Sequence, residues 1–154
     1  KGISNPKAVF PEIKKMAESS DWEVREVAAT TLVEISKKKA DQIIREMILW
    51  ADSKDPNIRR SSSEGLRDIA RKNPTKILAV IEKLKMDDNL YVKKSVANVL
   101  RNVSKKNPEF VLNLCKKWLS LKNPHTNWII EGGLQKLKES RTKEVNPILK
   151  SIGK

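Results

Sequence analysis

Val24-Arg25-Glu26-Val27-Ala28 aligns without a gap with Ile58-Arg59-Arg60-Ser61-Ser62 and with Val92-Lys93-Lys94-Ser95-Val96. The spacing is 34 residues both times. With Val24, Ile58 and Val92 at the zero position, Ala28, Ser62 and Val96 stand four on, and Leu32, Leu66 and Leu100 eight on. Ile35, Ile69 and Val103 stand eleven on. Steps of 0, 4, 8 and 11 trace one face of an α-helix. A looser fourth copy reads Ile129, Gly133, Leu137 and Ser140, offset by 37. A chain of supersecondary units repeating at this period stacks them in one dimension.

Basic corners follow these helices: Ser36-Lys37-Lys38, Arg71-Lys72-Asn73-Pro74 and Lys105-Lys106-Asn107-Pro108. Asn caps a helix and Pro suits its first position, so Asn-Pro stops one helix and starts the next. Pro6, Pro74, Pro108, Pro124 and Pro147 all follow Asn, and Pro56 follows Asp. Proline is therefore read as punctuation between helices. Long helices are expected over 22–38, 56–72, 90–106 and 126–139. Partner helices are expected over 40–51, 75–85 and 109–121, with an opening helix at 11–19 and a last one at 144–152. The fold class is all-α, an α-solenoid (superhelix) of antiparallel helix pairs in one domain, 1–154, with about four pairs.

Asp21-x-x-Val24-Arg25 and Asp55-x-x-Ile58-Arg59, with Asn89-x-x-Val92-Lys93 as a softened copy, resemble HEAT repeats. There the string opens the second helix of each pair, the one that lines the concave face. By that resemblance, Arg25 and Arg59 pair with carboxylates in a ladder between repeats.

Composition narrows the function. The 154 residues carry 32 Lys+Arg against 19 Asp+Glu, a formal charge of +13. Such an excess of base points to a polyanion partner, duplex DNA above all. Cys115 is the one cysteine and His125 the one histidine. They exclude a disulfide and a multi-ligand metal centre, so no metal and no cofactor are expected. Among leucines, Cys115 reads as a buried small hydrophobe. No apolar run approaches the ~20 residues that span a bilayer, and a monomer in a reducing, cytoplasmic setting is expected. No Gly-rich phosphate loop and no Ser/His/Asp constellation stands in the sequence.

Positions opposite the apolar stripe would face the groove. Two past zero stand Glu26, Arg60, Lys94 and Glu131; six past stand Thr30, Glu64, Asn98 and Gln135. Nine past stand Val33, Arg67, Arg101 and Lys138; ten past stand Glu34, Asp68, Asn102 and Glu139. The second and third repeats concentrate base: Arg60, Arg67, Arg71, Lys93, Lys94, Arg101, Lys105 and Lys106. These are the candidate phosphate contacts. Glu64 stands among Arg59, Arg60 and Arg67. It is either an ordinary helix-pair partner or a carboxylate aimed at a cationic centre in the groove. Trp50 and Trp118 read as core. Trp128, matched to Tyr91 one residue before zero, is read as either a stacking surface or inter-repeat packing.

Three strings resemble the HEAT-like DNA alkylation repair glycosylases, the AlkC/AlkD group, and most closely its AlkC branch. They are Asp55 to Gly65, Tyr91 to Asn98 with Lys106 to Leu112, and Asn127-Trp128-Ile129-Ile130. The resemblance implies excision of N3- and N7-alkylated purines, whose positive charge already weakens the glycosidic bond. It implies Glu64 as the carboxylate that stabilises oxocarbenium character, and Trp128 as a lesion-side aromatic. It also implies action without the full base extrusion of other glycosylases. Where the family carries an Asn-Asp pair, Arg101-Asn102 stand here; where it favours a basic residue after Trp128-Ile129-Ile130, Glu131-Gly132-Gly133 follow. Two functions stay open: a DNA-binding relative of these glycosylases, with or without excision, and a non-enzymatic HEAT adaptor that binds an acidic protein partner.

Overall fold

Asp21, Asp55, Asn89 and Asn123 are spaced 34 residues apart along the whole chain. In the computed structural model, which describes residues 5–154, each of them is a helix N-cap in extended backbone. Asp21 Oδ1 accepts from the Glu23 N–H at 2.9 Å, and Asp55 Oδ1 from the Asn57 N–H at 2.8 Å. Asn89 Oδ1 accepts from Tyr91 and Val92 at 3.0 and 3.2 Å. Asn123 Oδ1 accepts from His125 and Thr126 at 2.9 and 3.1 Å. Each bond satisfies an N–H that the helix itself leaves without a partner. The first three caps are themselves held by residues 34 apart. Ser19 Oγ and Ser53 Oγ accept from the Asp21 and Asp55 N–H at 3.1 Å, and Asp87 Oδ1 accepts from that of Asn89 at 3.0 Å.

The fourth cap corrects the fourth repeat. Its offset is 34, not 37, so its stripe is Thr126, Ile130, Leu134 and Leu137, all buried. Ile129 is buried too, which is why it mimics the zero position. The true zero position is polar. Thr126 is tolerated there because its hydroxyl donates to the Lys85 carbonyl at 2.7 Å.

The helices are α1 (Pro6–Ala17), α2 (Trp22–Trp50), α3 (Pro56–Glu64), α4 (Arg67–Lys72), α5 (Leu78–Leu84), α6 (Leu90–Ser104), α7 (Pro108–Trp118), α8 (Pro124–Gly133) and α9 (Thr142–Ser151). No strand occurs among the described residues. The fold class is all-α, built of HEAT-like helix pairs, as the periodicity requires. The chain forms two compact units, one ending at Lys83 and one running Leu84–Lys154. In the first, α2 packs on α1 and α3; in the second, α6 packs on α7 and α8, and α7 on α9.

The break expected between 22–38 and 40–51 falls at Lys39 (φ −129°, ψ 48°), where α2 kinks. Other boundaries differ from expectation. The expected helix 56–72 is interrupted at Gly65-Leu66, where the Leu66 N–H bonds three residues back to the Ser63 carbonyl at 3.0 Å. The opening helix starts at Pro6, so Pro11 lies inside α1, and Pro147 lies inside α9. Each forfeits a backbone donor without ending the helix. Asn5, Asn73 and Asn107 make no side-chain cap bond, whereas Asn123 does. The backbone decides this: Asn123 has ψ 129°, while Asn73 and Asn107 have ψ 82° and 66°.

The repeat stripes form the core, with Leu32, Ile58, Leu66, Leu100 and Leu134 fully buried. Trp50 and Trp118 are buried as expected, and the Trp50 Nε1–H donates to Glu46 Oε2 at 2.9 Å. Two glycines let α8 approach α6. A Cβ on Gly132 would stand 3.0 Å from Ala97 Cβ; one on Gly133 would stand 2.8 Å from Leu100 Cδ1 and 3.0 Å from its Cβ.

Gly133→Ala gains about 1 kcal/mol of helix propensity but overpacks the core at a cost of about 1–3 kcal/mol. Thermal unfolding should show a lowered Tm, and a raised one would contradict the close approach. Burial pushes the Cys115 thiol up to about 12. It should resist a disulfide reagent at pH 8 in the folded chain and react in denaturant.

Candidate nucleic-acid interface

The corrected register changes which residues share a repeat position. Two past zero now stand Glu26, Arg60, Lys94 and Trp128; one before zero stand Glu23, Asn57, Tyr91 and His125. Trp128 is therefore the counterpart of two cations, and His125, not Trp128, is the counterpart of Tyr91. Six past stand Thr30, Glu64, Asn98 and Gly132, and nine past stand Val33, Arg67, Arg101 and Gln135.

In the first unit, Arg60, Glu64 and Arg67 are half-buried and Arg71 is exposed. The Arg67 Nε–H donates to the Glu64 backbone carbonyl at 3.2 Å, and its Nη2 stands 3.5 Å from Glu26 Oε2. Arg67 is thus tied to α3 and to the first repeat. Arg71 Nη2 and Lys72 Nζ lie 3.2 and 3.0 Å from the carboxylate of Asp68. Asp68 was expected on the groove face, but it is buried. Burial raises its pKa; hydrogen bonds from Lys72 and Arg71, with their charges, outweigh that and hold the carboxyl below its ordinary value. Arg25 and Arg59 brace the turns before their own helices. Arg25 Nη1 donates to the Ser19 carbonyl at 2.7 Å, and Arg59 Nη1 to those of Ser53 and Lys54, both at 3.1 Å.

In the second unit, Lys94 is exposed and its ammonium stands 5.5 Å from the Tyr91 ring centroid. Lys93 is buried instead. Its Nζ lies 3.1 Å from His125 Nδ1 and 5.5 Å from the Trp128 ring centroid. Trp128 itself is 36% exposed. Arg101 Nη1 donates to the Gly132 carbonyl at 2.9 Å, a bond from α6 to the last turn of α8. With Gln135, Lys136, Lys138 and Glu139, Arg101 lines an open cleft of about 520 Å³. Lys105 and Lys106 are exposed beyond the end of α6. The structure therefore gathers Lys93 with Trp128, and Arg67 with the Glu64 backbone. Sequence reasoning missed His125, although the 34-residue step from Asn89 to Asn123 was there to place it.

Among the described residues, no group of three or more His, Cys, Asp or Glu could hold a metal ion. No helix there is long and apolar enough to cross a membrane.

Residues 4–137 match the profile of the DNA alkylation repair enzymes. The chain belongs to the DNA alkylation repair enzyme family. No curated protein matches it. Among solved structures, it is similar to the alkylpurine DNA glycosylase AlkC of Pseudomonas fluorescens bound to DNA containing an abasic-site analogue. The TM-score is 0.69 and the identity 24%, over 89% of this chain and 44% of the AlkC chain. It is also similar to AlkD2 from Streptococcus mutans, with TM-score 0.59 and 27% identity over 96% of this chain and 65% of that one. The chain thus spans under half of the AlkC chain and just under two thirds of the AlkD2 chain. Arg101 has a use within the structure itself. Close approach at Gly132 brings the α8 carbonyl within its reach.

The Asp68 pair carries a pH signature. A carboxyl depressed on folding contributes stability in full above its ordinary value of 3.8 and loses it as pH falls through the lower folded value. In urea unfolding, Asp68→Asn should be less stable than the parent at pH 7, with the gap narrowing below about pH 4. A gap independent of pH would contradict the pairing.

Proposed function

We propose that this chain binds duplex DNA and removes cationic N3- or N7-alkylated purines from it. The observation that carries this is the position two past zero. In three consecutive repeats of a DNA alkylation repair family member it bears Arg60, Lys94 and Trp128, two cations and an aromatic ring. Cations at a repeating helical position suit a repeating phosphate backbone. A half-exposed indole suits a flat base beside it. AlkC, which shares the fold, is an alkylpurine DNA glycosylase held on DNA.

In this reading Arg60, Arg67, Arg71, Lys94, Lys105 and Lys106 neutralise phosphates, Arg101 ties α6 to α8, and Lys93 supports the ring of Trp128. Glu64 supplies the carboxylate that stabilises positive charge developing on the sugar as the base departs. Excision needs no cofactor, because the alkylated base already carries the charge that makes it a leaving group. A monomer in a reducing, cytoplasmic compartment fits a buried free thiol and a polyanion partner.

Affinity for duplex DNA should fall with salt, with log K losing about 0.9 per phosphate for each decade of salt. Arg60→Ala and Lys94→Ala should each reduce that slope by about 0.9. Absence of binding at low salt would overturn the reading. From methylated duplex DNA the chain should release N7-methylguanine or N3-methyladenine, and Glu64→Gln should slow release by about 10²-fold. Release unchanged in Glu64→Gln would remove Glu64 from the chemistry.

A further inference from the structure

The corner residues Asn5, Lys39, Asn73, Asn107 and Arg141 are also spaced 34 apart, so the partner helices share a register of their own. Counted from the corner, positions 3, 6, 7 and 10 line an open groove twice. In the first unit they are Gln42, Arg45, Glu46 and Leu49, which face Lys7 and Phe10 of α1 across about 440 Å³. In the second they are Glu144, Pro147, Ile148 and Ser151 of α9, beside α7 and across about 330 Å³.

The two grooves differ in charge. In the first, the Glu46 carboxylate accepts from Trp50 Nε1–H and stays in the lining. Asp41, whose carboxyl the hydrogen bond and charge of Lys76 hold below its ordinary value, lies in the field of Arg45 as well. In the second, Lys116 of α7 and Lys143 of α9 stand exposed on the lining. Among the described residues, no ion pair engages either ammonium. Glu144, the carboxylate of this lining, is taken by Arg141, which also pairs with Glu109. The lining is otherwise mostly apolar: Leu119 is half-buried, Pro147 exposed and Ile148 buried.

We propose that the groove between α7 and α9 docks an acidic peptide segment of another protein, one that carries large apolar side chains among its carboxylates. The apolar side chains seat on Leu119, Pro147 and Ile148, and the carboxylates meet Lys116 and Lys143. Duplex DNA fits less well, because an apolar floor offers a phosphate no donor. A second copy fits less well too: each copy carries +13 and repels another. Neither lysine is among the residues proposed to meet phosphates, so the two partners do not compete for the same cations.

The probe is the fluorescein-labelled peptide Asp-Glu-Phe-Leu-Asp-Glu, titrated with the full chain and followed by anisotropy. It should bind, and a control peptide with Ser in place of Phe and Leu should bind at least about tenfold more weakly. Lys116→Glu and Lys143→Glu should each weaken the probe about tenfold. Both lysines are exposed, so both variants should keep the parent's thermal unfolding. Lys117→Glu and Lys150→Glu make the same charge change on the same two helices but off the lining, and should leave the probe's affinity within about twofold. Absence of binding at millimolar chain overturns the proposal, as does equal binding of the Ser control. Equal weakening by all four charge reversals reduces the effect to net charge and also overturns it. A dimer in sedimentation that Lys143→Glu disperses would give the groove to a second copy. Duplex affinity lost in Lys143→Glu would give it to DNA. Either result refutes the acidic peptide as its occupant.

Discussion

The N-cap spaced every 34 residues is the constraint on which the rest depends. A helix cannot satisfy its own first N–H groups, so the residue that does so fixes where the helix begins. Asp21, Asp55, Asn89 and Asn123 do this four times at one spacing. Once the start is fixed, the 3.6-residue period fixes which side chains are buried and which stand clear. That Arg60, Lys94 and Trp128 share one repeat position is a consequence of where those caps lie.

Within this frame, close packing and charge placement are coupled. Gly132 and Gly133 keep α8 near α6, and that nearness lets Arg101 reach a carbonyl of α8 and Lys93 reach a ring nitrogen of His125. A bulkier residue at either glycine would separate the helices and part these bonds as well. The cations of this unit are therefore of two kinds. Lys94, Lys105 and Lys106 stand in solvent, where they can meet phosphates, while Lys93 and Arg101 are engaged between helices.

The stripe at 0, 4, 8 and 11 was legible in three repeats because the positions are mostly apolar and the spacing is uniform. The fourth was obscured by Thr126, a polar residue at the zero position, and by Ile129, which is buried one face over. Hydropathy cannot show that the Thr126 hydroxyl finds the Lys85 carbonyl. The same error paired Trp128 with Tyr91 and left His125 without a place. The burial of Asp68 was hidden for a related reason: a charged residue reads as exposed until its cations, Arg71 and Lys72, are seen around it. The break at Lys39 was legible without Asn-Pro, because the apolar stripe ends before the basic run Lys37-Lys38-Lys39 and a second helix follows. Glu64 and Trp128 were legible as candidates, but only the three-dimensional register shows that Trp128 is backed by Lys93.

Family membership and the repeated basic position support the proposed DNA partner, and Lys94, Lys105 and Lys106 are the exposed lysines of the second unit proposed to meet it. Lysine acetylation footprinting reads this directly, with the chain alone and with duplex DNA bound. Duplex DNA should shield Lys94, Lys105 and Lys106 and leave Lys116 and Lys117 of α7 as reactive as before. Shielding of Lys116 and Lys117 with Lys94 unprotected would contradict it.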